Sequence, residues 1–166
     1  MEIKVINQRK FQFLENHKII LELYYPRWWS NNAEIRYLGK QFKIKAKGFW
    51  QNTFIILKNG LEIGSIKLNW KQDSVISLKA KSKTEKNYHL YQESFWHTKF
   101  VVKANESSVL RIHAKRNWKK FYPDFLLSTE DDQEHEDFNL IIAISVYLIN
   151  NRLKSAAAGA SIAAVS

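Results

Sequence analysis

Asp137-Phe-Asn-Leu-Ile-Ile-Ala-Ile-Ser-Val-Tyr-Leu-Ile-Asn-Asn-Arg-Leu-Lys154 is the stretch that decides how this chain folds. Its Ile and Val content would suit a strand, but strands rarely exceed about ten residues, so its length reads as a helix. Acids crowd its N-terminal end, and Arg152 and Lys154 stand at its C-terminal end, the polarity that a helix macrodipole favours. Between Phe138 and Ile149 only Asn139 and Ser145 are polar, which leaves no face suited to water. A helix apolar all round is buried on every side or lies in a membrane.

A membrane span needs about 20 apolar residues, and this run breaks at Asn150-Asn151-Arg152. Joining it to Ala156–Ser166 would carry Arg152 and Lys154 into the bilayer, which is strongly unfavourable. The reading is therefore a buried helix at about 137–153 with no transmembrane segment, and an Ala-rich tail over 155–166. A sheet that surrounds a helix on all sides must close on itself, so a barrel is the expected partner. The helix would occupy the space that other barrels use for ligands, and no large internal pocket is expected.

The rest of the chain supplies strands. From Ile3 to Leu127 short alternating runs recur, separated by polar or Gly-containing breaks. Gln41–Lys47 alternates strictly, with Phe42, Ile44 and Ala46 on one face and Lys43, Lys45 and Lys47 on the other. Phe54–Lys58 and Leu61–Ile66 flank Asn59-Gly60, a dipeptide suited to the positive φ of a type I′ turn. Ile19–Tyr25, Val75–Ala80, Tyr88–Tyr91, Phe100–Lys103 and Val109–His113 read the same way. Spacing of roughly ten residues between such runs marks an antiparallel barrel or sandwich, not βαβ units. No Pro/Gly/Ser-rich linker divides the 166 residues, so 1–154 are expected to form one domain.

Charge and composition narrow the function. The net charge is +10, and residues 1–129 alone hold 24 basic and 10 acidic residues, a net +14. Six acids lie in the run from Glu130 to Asp137. A basic surface attracts polyanions such as nucleic acid or anionic lipid, and it also serves solubility. With no cysteine, disulfides, thiol catalysis and thiolate zinc sites are excluded. The start, Met1–Lys10, lacks the apolar stretch and cleavage site of a signal peptide, so the expected location is cytoplasmic, peripheral to membranes if the basic face binds them.

Strands followed by an acid and a Leu/Ile/Ala-rich helix, Asp137-Phe-Asn-Leu-Ile-Ile-Ala-Ile-Ser-Val146, resemble the tubby C-terminal-like superfamily, which includes LURP-one-related proteins and phospholipid scramblases. Phe42 and Ile44 ahead of a hairpin ending in Gly64-Ser-Ile66 are a weaker match of the same kind. The resemblance implies a closed antiparallel β-barrel around a hydrophobic C-terminal helix. It further implies a binding module, since tubby domains bind phosphoinositides. The chain is shorter than a tubby domain, and no lipid-binding position of that family maps onto a particular residue here.

Candidate sites follow from the charges. Lys43, Lys45 and Lys47, with Lys79, Lys81 and Lys83 at the same spacing, would form a phosphate-gripping patch if their strands lie side by side. Arg111, His113, Lys115, Arg116, Lys119 and Lys120 surround Trp118, a basic and aromatic cluster suited to a membrane surface or a nucleic acid. The plainer reading of both sets is a solvated exterior. Trp28-Trp29 follows Pro26 in a loop and would anchor at an interface if exposed. Glu130, Asp132, Glu134 and Glu136 alternate like ligands for a hard cation, but lack the glycine and final-Glu spacing of an EF-hand. The five histidines form no metal spacing, and no triad, P-loop or dinucleotide fingerprint is present. The expectation is a non-enzymatic protein without a cofactor, binding anionic membrane surfaces or phosphorylated headgroups. Nucleic-acid binding and a purely structural role are the alternatives.

Overall fold

A computed structural model describes residues 1–27, 30–48, 52–69, 73–79, 85–93, 98–115, 122–129 and 136–163. Twelve strands run in order: β1 (Glu2–Asn7), β2 (Lys10–Glu15), β3 (Lys18–Tyr24), β4 (Ala33–Tyr37), β5 (Lys40–Lys47), β6 (Thr53–Lys58), β7 (Leu61–Leu68), β8 (Asp73–Lys79), β9 (Glu85–Gln92), β10 (Lys99–Ala104), β11 (Ser107–Lys115) and β12 (Asp124–Thr129). Each pairs antiparallel with its neighbour in sequence, giving one meander from β1 to β12. β1 and β12 lie alongside each other, so the sheet curls into a nearly closed barrel. Tyr122 Oη, donating to the Ile6 carbonyl at 3.4 Å, spans that seam. The helix α1 (Glu136–Ala163) follows β12.

The strands exist because the pleat matches the sequence period. Phe11 and Phe13, Leu21 and Leu23, Phe42 and Ile44, and Phe54 and Ile56 all face inward and are buried. Between them the outward positions carry Gln12, Glu22 and Lys43, whereas β6 places half-buried Ile55 and Leu57 on that side. Four connections are two-residue turns with positive φ at both positions: Asn16-His17, Leu38-Gly39, Asn59-Gly60 and Asn105-Glu106. This is the turn geometry whose twist suits a tight hairpin. The registers of β2–β3, β6–β7 and β10–β11 each shift near such a turn, between Phe13 and Leu14, Ile56 and Leu57, and Val102 and Lys103. Bulges of this kind increase twist and bend the sheet toward closure.

Eight strands leave a lumen that side chains can fill, and twelve leave a wider one. A helix with its side chains is about 10–12 Å across, and α1 fills that lumen. Every residue from Phe138 to Asn150 is buried except the half-buried Asn139. Each large apolar side chain among them contributes about 1.5–3 kcal/mol by leaving water. The few polar groups are tied to the wall or to the helix itself. Asn139 Nδ2 donates to Tyr37 Oη at 2.9 Å, Ser145 Oγ to the Ile141 carbonyl at 2.7 Å, and Asn150 Nδ2 to Tyr25 Oη at 3.2 Å. Tyr25 also stacks on Tyr147 with ring centroids 5.8 Å apart.

The helix is longer than the sequence reading allowed. It continues past Leu153 to Ala163, through the segment expected to be a tail. Alanine has the strongest helix propensity, so Ala156–Ala158 extends the helix instead of ending it. Arg152 and Lys154 are therefore not at a helix C-terminus, and the macrodipole does not explain them. They mark the level at which α1 leaves the barrel.

Candidate functional site

Chain direction sorts the molecule into two unlike rims. Odd-numbered strands all run toward one end, here the upper rim, and even-numbered strands run back. The lower rim carries the four two-residue turns, the 80–84 connection and the link from β12 to α1. The upper rim carries the connections 8–9, 25–32, 48–52, 69–72, 93–98 and 116–123. All six tryptophans of the chain, Trp28, Trp29, Trp50, Trp70, Trp96 and Trp118, fall by sequence in five of those upper connections. None falls in a lower one. Their own placement is outside the described residues.

Charge follows the same division. Exposed Arg9, Lys47, Lys67, Lys99 and Lys115 stand at or near strand ends of the upper rim. At the lower rim, cations such as Lys18, Lys79 and Lys86 alternate with Glu2, Glu15, Glu62, Glu85 and Glu106. The 130–135 connection adds four acids there by sequence. The lower rim is thus balanced or acidic and the upper one basic.

The two predicted lysine rows do not meet. β6 and β7 lie between β5 and β8, about 14 Å of sheet at the usual strand spacing, and Lys47 and Lys79 end at opposite rims. Lys43 Nζ pairs with Glu34 at 3.8 Å and Lys79 Nζ with Glu62 at 4.0 Å. Lys45 is exposed on the barrel wall. Arg111 is held by Glu93 at 2.6 Å. Of the predicted cations, Lys47 and Lys115 belong to the upper rim, and Arg116, Lys119 and Lys120 fall by sequence in its 116–123 connection. Those three, together with Lys81, Lys83, Trp118 and Trp28-Trp29, lie outside the described residues. So do Glu130, Asp132 and Glu134. Among the described residues no cluster of three or more His, Asp or Glu could hold a metal ion.

The sequence reading did not anticipate a cleft at the upper rim. Between the C-terminal half of α1 and the ends of β6, β7, β9 and β10 it encloses about 560 Å³. Buried Phe54, Phe100 and Leu148 form its floor, with Leu68 and Leu153 above them. Asn31, Asn69, Gln92, Thr98, Asn151 and Ser155 supply the polar lining. Asn69, Ser155 and Ala156 are exposed, which places the mouth at the upper rim. The sequence signal at this level is the run Asn150-Asn151-Arg152, with Lys154 and Ser155 after it, where polar residues interrupt the apolar helix.

Electrostatics mark the same level. Arg152 is half-buried, and its Nη2 donates to the buried Ser74 Oγ at 2.7 Å. Burial lowers the Arg152 pKa, and the nearby Asp73 carboxylate acts in the opposite direction. Lys154 leaves the helix on another side, with its ammonium 4.3 Å from the centre of the Tyr25 ring. Burial lowers its pKa too. The phenols of Tyr25 and Tyr147 are held well above their usual range, first by burial, so they stay neutral and serve as hydrogen-bonding struts. Tyr147 Oη donates to the Asn31 carbonyl at 2.7 Å.

The fold and this rim together define a helix-filled antiparallel barrel with one basic end and a cleft beside α1 there. No family model matches the chain, nor does any curated protein or solved structure. Among the described residues, no helix is long and apolar enough to cross a membrane.

Proposed function

We propose that this chain is a non-enzymatic, tubby-like binding module that docks its upper rim on anionic membrane surfaces. The observation that carries this reading is the coincidence, at one end of the barrel, of exposed Arg9, Lys47, Lys67, Lys99 and Lys115 with every connection that contains tryptophan. A cation near an anionic leaflet contributes about 1 kcal/mol. Tryptophan concentrates at the headgroup level because its ring is amphipathic. The arrangement of a closed barrel around a C-terminal apolar helix supports the tubby-like assignment. The basic patch first expected on the barrel wall is replaced in this proposal by the rim.

Co-sedimentation with phosphatidylserine–phosphatidylcholine vesicles tests it, with phosphatidylcholine vesicles alone as the reference. Reversing Lys47, Lys67, Lys99 and Lys115 to Glu is expected to weaken binding at least about a hundredfold. Reversing Lys18, Lys40, Lys79 and Lys86 at the other rim is expected to leave most of it. Tryptophan emission should shift to the blue on binding and be quenched by brominated acyl chains. Unchanged binding by the upper-rim variant overturns the proposal. Binding to oligonucleotides at low salt, with none to vesicles, would assign the rim to nucleic acid instead.

A further inference from the structure

We infer that the hairpin tips of the lower rim around Leu38 bind a second copy of this chain, giving an end-to-end two-fold dimer. This inference rests on the lower rim alone and does not depend on what the upper rim docks on.

Ile19, Leu38 and Leu61 are 52%, 64% and 74% exposed, and with Leu126 they are the most exposed large apolar side chains among the described residues. They belong to three successive tips of the lower rim, β2–β3, β4–β5 and β6–β7. Pairing holds those tips side by side. Leu21 faces Tyr37, so Ile19 and Ile20 reach the level of Leu38-Gly39. The Asn59 amide donates to the Gln41 carbonyl at 3.3 Å, which sets the third tip against the second. From β3 to β7 the three side chains span about 20 Å of rim at the usual strand spacing. An isolated exposed leucine is ordinary, whereas a row of aliphatic side chains marks a contact surface.

Leu38 itself serves neither its turn nor the core. The hairpin twist requires positive φ there, which asparagine or glycine meets with less strain, and its side chain faces water. A residue unfavourable to the isolated fold on both counts is explained by a contact outside it.

Charge order along the rim identifies the occupant. From β2 to β8 the exposed residues run Glu15, Lys18, Ile19, Leu38, Leu61, Glu62 and Lys79. The two flanks of the apolar row thus carry opposite charges in mirrored order. A two-fold axis beside Leu38, perpendicular to the barrel, sets Leu38 against its own copy and Ile19 against the partner's Leu61. It also sets Lys18 against the partner's Glu62 and Glu15 against the partner's Lys79, each pair made twice. Flanks of like charge would have repelled one another about the same axis. Glu62 already lies 4.0 Å from Lys79, so the charges of the two copies would interleave. Lys40 and Lys58, between the flanks, are half-buried, and the Lys58 ammonium lies 5.6 Å from the centre of the Phe42 ring. The dimer leaves the two upper rims facing away from each other.

Sedimentation velocity of the full chain without vesicles tests this between about 1 μM and 1 mM, where an interface of modest size dissociates. A reversible monomer–dimer equilibrium is expected. Leu61→Asp should weaken it at least about a hundredfold, since the change removes two apolar contacts and adds two charges per dimer. Lys18→Glu and Glu62→Lys should each weaken it at least about tenfold, and the double reversal Lys18→Glu with Glu62→Lys should recover most of the loss. Leu38→Asn should weaken association while raising the melting temperature of the dilute monomer, a separation that a purely structural role for Leu38 would not produce. Recovery in the double reversal and that separation support the inference. A monomer throughout the range, a dimer indifferent to Leu61→Asp, or a double reversal as weak as the single ones overturns it. An end-to-end dimer presents one upper rim to a given surface, so these variants are expected to sediment with anionic vesicles as the parent does, and the two readings fail separately.

Discussion

Leu38 shows how much a single residue yields to the hairpin it terminates. It occupies φ 48 in the turn before Gly39, a region that side chains with a Cβ avoid, and its apolar chain is 64% exposed. Leu38→Asn is expected to stabilise the fold by about 0.5–1 kcal/mol, read as a raised melting temperature, because asparagine visits that conformation readily. Gly64 is the opposite case. A Cβ there would lie 2.3 Å from the Ser77 carbonyl and 2.9 Å from a Leu78 methyl. Gly64→Val should therefore force β7 from β8 and cost more than about 3 kcal/mol in chemical denaturation. Glu22 gives a pH signature. Its carboxyl is held below the ordinary value of 4.5, chiefly by the Gln12 amide and then by Lys10, whose Nζ is 2.8 Å away. Stability from this pair is complete above pH 4.5 and lost as pH falls through the lower folded value. Glu22→Gln should lower the melting temperature at neutral pH, by an amount that vanishes toward strong acid.

Among the elements, α1 decides whether the barrel stands. Ile144 is fully buried at the middle of the helix. Ile144→Asp would place an unpaired carboxylate there, a penalty comparable to the whole stability of about 5–15 kcal/mol for such a domain. The variant is expected to show no cooperative unfolding transition, and a folded one would contradict a central helix. Asn150→Ala is milder. It leaves Tyr25 Oη without its donor and should cost about 1–3 kcal/mol, because the group is buried. The length of α1 has a consequence of its own. At about 1.5 Å per residue its 28 residues span about 42 Å. The tilted strands, five to nine residues long, rise about 17–30 Å at most. The helix must therefore emerge, and since it starts at the lower rim it emerges at the upper one.

The whole molecule is polar along that axis. One end is built from short turns and acids, the other from longer connections that hold the tryptophans and from exposed cations. Docking on an anionic surface would set the barrel upright, with the cleft and the C-terminal end of α1 facing that surface. Binding is then expected to fall steeply with added salt, because exposed charges are screened over about 8–10 Å at physiological ionic strength. A vesicle titration across a salt series checks this, and salt-insensitive binding would point to apolar insertion instead.

The sequence by itself determined the strands, the Asn59-Gly60 hairpin and the buried helix, because these depend on period and local chemistry. Phe42 and Ile44 alternate with lysines, and Phe138–Ile149 has no wet face, so each segment's partner class was fixed before any neighbour was known. Ala33–Tyr37, with Arg36 and Glu34 between its apolar residues, is short enough that only pairing with β3 and β5 makes it a strand. In the other two-residue turns Asn16, Gly39 and Asn105 suit positive φ, whereas Leu38 and Glu106 adopt it because strand twist imposes it against their preference. The candidate site was illegible for a different reason. Tryptophans far apart in sequence, from Trp28 to Trp118, share a rim only because a meander returns every second connection to the same end. The cleft needs that closure as well, together with a helix whose register turns Arg152 toward Ser74. Spacing along a chain carries no information about which strand a side chain will face across a barrel, and that is what the tertiary structure decided.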